Sequence, residues 1–177
     1  MPADLRLAAR LATVLAGVSL AVTACGNATA DRQADVAERG AEVMPFDLDA
    51  TTHTFTKSPT GGVQAVTADD PADDPQVRLI RAHLLDERDD FTRGDFDDPA
   101  RIHGMDMPGV AELSAGYQRI SVTYAEVPAG AELRYTTTDG DLVDAIHAWF
   151  DRQVMDHGDD AEAGRSDFPA ALVRLVT

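Results

Sequence analysis

The sequence predicts an α+β fold: a two-layer sandwich in which a four-stranded antiparallel sheet carries two long helices on one face, in the order ββα–loop–ββα. Three observations predict it. Two β-branched stretches fold back about turns rich in Pro and Gly, Ser58–Gly62 and Pro128–Gly130, and read as hairpins. Each is followed by a longer stretch with apolar residues at helical spacing, Pro75–Phe91 and Asp141–His157. The hairpin-plus-helix unit occurs twice in the same order, which suggests a distant internal duplication.

Residues 1–24 read as a signal peptide. Arg6 and Arg10 precede an apolar run, Leu11–Ala24, that is shorter than the ~20 residues a spanning helix needs. The run closes on "VTAC", which resembles the lipobox of bacterial lipoproteins, so Cys25 is the expected lipidation site. The alternative is a plain signal with an incidental cysteine. Residues 25–43 then form a flexible tether, polar and without aromatics, with at most one loose helical turn. The expected localisation is the outer face of the cell membrane, held there by the N-terminal lipid. Cys25 is the sole cysteine, which excludes an intrachain disulfide and a thiolate metal site.

The domain is expected over residues 44–158. The first hairpin covers Thr52–Ala68. The acidic connector "DDPADDP" follows, with Asp74 as N-cap and Pro75 at the first helical turn. The first long helix carries Val77, Ile80, Leu84 and Phe91 along one stripe, and Gly94 with "GDFDDPA" breaks it. After a loop, a short helix is expected to begin at Pro108 and end at Gly116. In the second hairpin, Arg119–Asp139, Ile120, Val122 and Tyr124 alternate on one face and are answered by Leu133 and Tyr135. Asp139 or Asp141 caps the second helix, and Gly158 stops it. Residues 159–177 form a C-terminal tail that ends in the apolar "DFPAALVRLVT".

A formal net charge of −16 repels nucleic acid, which excludes it as a partner. The chain has no Gly-x-Ser-x-Gly elbow, no Ser-x-x-Lys and no phosphate-binding glycine loop, so no catalytic residue is expected. Asp95, Asp97 and Asp98 lack the glycine and terminal glutamate of an EF-hand loop.

Five histidines remain: His53, His83, His103, His147 and His157. At 100° per residue His157 falls within the buried stripe of the second helix (Leu142, Ile146, Trp149, Phe150, Gln153), and His147 lies on its flank. His83 lies on the flank of the first helix. His53 alternates in phase with Phe55 and so points inward. "RIHGMDMPGV" (Arg101–Val110) adds His103, Met105 and Met107 within five positions. Imidazole with thioether is the ligand set that suits copper, Cu(I) above all. His53, His103, Met105, Met107, His147 and His157 are therefore the candidate metal ligands. The alternative is a structural module that binds an envelope protein partner and packs its histidines in the core, with methionines filling gaps.

"MPFDLDATTHTF", "GGVQAV", "IHGMDMPG" and "IHAWFDRQVMDHG" together resemble a family of small, uncharacterised actinobacterial exported lipoproteins. Some members carry the name aspartate carbamoyltransferase. That activity needs an arginine cluster, a Ser-Thr-Arg-Thr phosphate loop and two α/β domains, none of which this sequence offers. Members often end in a His-rich tail, in keeping with a metal role; residues 159–177 contain no histidine.

Overall fold

The computed structural model describes residues 28–165. The expected signal peptide, Cys25 and "DFPAALVRLVT" lie outside the described residues. Two hairpins supply most of the sheet: β1 (Thr51–Ser58) with β2 (Gly61–Ala68), and β3 (Ser121–Val127) with β4 (Gly130–Thr136). The hairpins join through an antiparallel β2–β4 pairing, Gln64 opposite Leu133. A fifth strand, β5 (Ala161–Ala163), runs parallel to β1, with His53 opposite Ala161. The strand order is β3-β4-β2-β1-β5.

The fold is thus α+β as expected, with a five-stranded mixed sheet in place of four antiparallel strands. The difference arises just past the second long helix. Gly158, at φ 59, turns the chain back, and a 3₁₀ turn delivers three residues to the open edge of β1. Three residues are too few for alternation to reveal a strand. The domain therefore runs beyond residue 158, into what reads as a tail.

Among the described residues there are also five α-helices, where two long ones and one short one are expected. Residues 28–43 form α1, where a flexible tether was expected. The stretch lacks aromatics, but its Ala, Arg, Gln and Glu favour helix. Packing fixes it: Val36 is buried, and Arg32 reaches Asp156. The long helices are α2 (Asp74–Thr92) and α5 (Gly140–His157). Asp73, not Asp74, caps α2 by accepting from the Gln76 amide, while Asp139 caps α5 by accepting from that of Asp141. Between them lie α3 (Asp97–His103) and α4 (Val110–Gly116). The first reads as loop in the sequence because under two turns show no period. The second starts two residues after Pro108, since Gly109 adopts φ 83 and leaves no room for a side chain beside the Ala145 carbonyl.

Alternation puts His53 and Phe55, Gln64 and Val66, and Ala131, Leu133 and Tyr135 on one face of the sheet. Both long helices pack there. Phe91 of α2 and Trp149 of α5 close on Tyr135 at 6.2 and 5.5 Å between ring centres, and Phe150 meets Phe55 at 5.1 Å. Trp149 is fully buried, as its stripe requires. Among the described residues no helix is long and apolar enough to cross a membrane.

Candidate functional site

The inward face of the sheet carries a polar residue, His53, in the middle of an apolar row, and the ends of two helices answer it. β1 supplies His53 by alternation, α3 ends on His103, and α5 ends on His157. The His157 ring stacks on His53 at 5.1 Å between centres and 4° between planes. His103 meets His157 edge-on at 5.0 Å and 78°. On the far side α2 presents His83 and, one turn later, Glu87, whose Oε1 lies 4.0 Å from His83 Nε2. These five side chains and Gln153 wall a cavity of about 20 Å³, room for a single water-sized occupant.

Outer groups hold two of the rings. Nδ1–H of His103 donates to Asp156 Oδ2 at 2.9 Å, and Asp156 in turn accepts from Arg32 Nε and Nη2 at 2.6 and 2.7 Å. Arg152 Nε adds an ion pair at 3.0 Å. His157 Nε2–H donates to Gln153 Oε1 at 3.0 Å. In each neutral ring the other nitrogen then bears the lone pair. Nδ1 of His53 and Nε2 of His83 are buried without a hydrogen-bond partner. Such a group costs about 1–3 kcal/mol when left unsatisfied.

Electrostatics keep the cluster neutral. Burial lowers His53 to about 4; His83 and His103 push the same way, while the Asp160 backbone opposes them. Burial, then His53 and His103, take His157 down to about 2. His103 is lowered by burial against the pull of Asp156. Glu87 moves the other way, to about 8, because burial and then Asp98 penalise its charge more than the Gln64 hydrogen bond favours it. The site at neutral pH is therefore a set of uncharged imidazoles beside a protonated carboxyl group.

Three of the six expected ligands meet here: His53, His103 and His157. The other three do not. His147 Nε2–H faces the carbonyl oxygens of Ser58 and Gly61 at 3.0 and 2.9 Å, so this ring ties α5 to the β1–β2 turn. Asp151, one turn on from His147, pairs with Lys57 and not with the ring. Met107 is buried in the apolar core, and Met105 is 86% exposed. The chain turns between His103 and Met107 through Gly104, at φ 98, so closeness within five positions of sequence does not become one site. His83, Glu87 and Asp156 were not anticipated as site residues. The i,i+4 spacing of His83 and Glu87 is a usable signal; Asp156 offers none, because its partner Arg32 lies in the stretch that reads as a tether. As the side chains stand, no group of three or more His, Cys, Asp or Glu among the described residues is disposed to hold a metal ion.

Comparison of the chain with protein-family models, curated proteins and solved structures finds no match.

Proposed function

We propose that the protein is a lipoprotein of the cell envelope, anchored through Cys25, whose domain binds a transition-metal ion at His53, His103 and His157. One observation carries the metal reading. Three imidazoles from three separate elements meet at one small buried cavity, and outer acceptors fix the tautomers of two of them. A carboxylate behind a histidine is how protein metal sites orient a ligand ring and raise its basicity. Neutral imidazole is the form that binds metal, and an incoming cation would partner the orphaned His53 nitrogen. Binding requires the stacked pair to turn, so that ring nitrogens reach one ion at ~2.0–2.1 Å. With Met105 and Met107 elsewhere, the thioether case for Cu(I) lapses. Copper stays the favoured ion as Cu(II), since imidazole sites bind it most tightly among the divalent first-row metals.

Cu²⁺ should raise the melting temperature of the protein, because a ligand held only by the folded state stabilises it by mass action. The shift should vanish in a folded His53→Ala/His157→Ala variant and persist in Met105→Leu. An unchanged wild-type melting temperature defeats the metal reading. It would favour instead a structural or partner-binding module, a reading that the flat stacking of His53 on His157 supports. Anchoring is tested separately. Cys25→Ser should release the protein from membranes, since the acyl chains supply the attachment; continued membrane association would count against lipidation.

A further inference from the structure

Between α5 and the β1 edge of the sheet lies a groove of about 260 Å³, far from the loops that join the helices. Phe55, Phe150 and Val154 give it an apolar floor, and the exposed Lys57–Asp151 ion pair stands at its rim. Ala163 and Gly164, at the end of β5, line it as well. The chain is held closely to β1 at this point. Gly164 N–H donates to the Phe55 carbonyl at 2.9 Å, and a Cβ on Gly164 would lie 1.9 Å from Thr56 Oγ1, an approach that only glycine allows. Backbone groups alternate along a strand, so Lys57, two residues beyond Phe55, turns its N–H and C=O to the same edge. The ladder between β1 and β5 stops short of it, at Phe55 opposite Ala163. Residues 166–177 follow from the mouth of this groove.

We propose that the groove is the docking site of the segment Phe168–Val176 of the same chain, which covers the open edge of β1 beside Lys57 and the apolar floor behind it. Composition is the first argument. Seven of these nine residues are apolar and Arg174 carries the one charge, in a chain of net charge −16, so the segment gains by leaving water. The site is the second. Free backbone groups on a sheet edge, next to an apolar pocket, are what an added extended segment uses for affinity and specificity. Reach is the third. Residues 165–167 alone separate Gly164 from Phe168, and a linker that short gives the segment an effective concentration of ~mM at a groove that Gly164 itself lines. A second copy or another protein must compete with that. Phe55 also walls the histidine cavity, so the docked segment covers the outer side of that wall whatever the cavity holds.

The test compares the intact chain with a Phe168→Ser/Leu172→Ser/Val173→Ser variant of it, by amide hydrogen exchange and by thermal midpoint. The variant should exchange the Lys57 amide about tenfold faster, because that N–H loses its cover, while the core strands keep their protection. Its midpoint should fall by about 3 °C or more. Val154→Ser, on the groove side, should lower the midpoint by itself, and the segment substitutions should cost far less in that background, since the two remove opposite sides of one contact. Additive losses would place the segment elsewhere and overturn the proposal. So would an unchanged rate at Lys57, which would leave the groove to another protein. A midpoint that rises with protein concentration would give the groove to the segment of a second copy, and docking within one chain would be wrong. If Val154→Ser does not fold, the Lys57 exchange rate decides alone.

Discussion

Asp156 gathers His103, Arg32 and Arg152 on one buried carboxylate, with Arg32 also donating from Nη2 to the His103 carbonyl at 3.0 Å. It joins α1, α3 and α5 at the point where the histidine cluster begins. Asp156→Asn would keep the shape but set an amide against two guanidinium groups. The expected loss is about 3 kcal/mol, the low end for breaking a buried pair, because the Arg32 side chain is 35% exposed and regains water. Urea denaturation measures it. A loss below ~1 kcal/mol would rank the network with surface ion pairs. At this scale, legibility in the sequence followed from geometry that one element contains. His53 was readable from its phase with Phe55, and His157 from its place on the α5 stripe. Asp156 was not, because its chief partner lies 124 residues away. His147 lies on the flank of α5 as its phase indicates, but a flank position on a helix does not say which neighbour it meets, and here the neighbour is a turn.

Among the elements, the two hairpins and two long helices were legible because each holds enough residues to display its period. α3 and β5 are too short to do so, and α1 is fixed by contacts with distant parts of the chain. Turn chemistry sets the remaining boundaries, and it can be tested at two glycines. Gly109 sits at φ 83, and a Cβ there would lie 2.1 Å from the Ala145 carbonyl oxygen, backbone that cannot yield without moving α4 off α5. Gly140, the first residue of α5, has nothing within 4 Å of such a Cβ. Gly109→Ala should therefore cost more than ~1 kcal/mol, while Gly140→Ala should be neutral or gain up to ~1 kcal/mol through a less flexible unfolded chain. Comparing the two thermal midpoints decides this. Equal effects would mean that neither conformation nor space at Gly109 governs the start of α4.

Across the whole molecule the buried titratable groups give stability a shape in pH that the net charge of −16 alone would not. Unfolded histidines take up protons as pH falls below about 6.5, but folded His53 resists until about 4 and His157 until about 2. Their contribution is thus complete above 6.5 and is lost as pH falls towards 4. Glu87 has the opposite sign. The unfolded carboxyl ionises above about 4.5 and the folded one only near 8, so its contribution is present in acid and lost as pH rises from 4.5 to 8. Between 6.5 and 8 only the Glu87 limb acts among these groups, with a slope of at most about 1.4 kcal/mol per pH unit. Below 6.5 the histidines oppose it, and four of them are lowered against one glutamate. The metal-free protein should therefore be most stable near pH 6.5. Urea midpoints taken from pH 5 to 8 in the presence of a chelator should fall on both sides of that value. Glu87→Gln, which cannot ionise, should flatten the alkaline limb and leave the acid limb in place. Stability that climbs steadily from pH 6.5 to 8 would mean that Glu87 is ionised in the folded protein, and that the cavity is wetter than its walls imply.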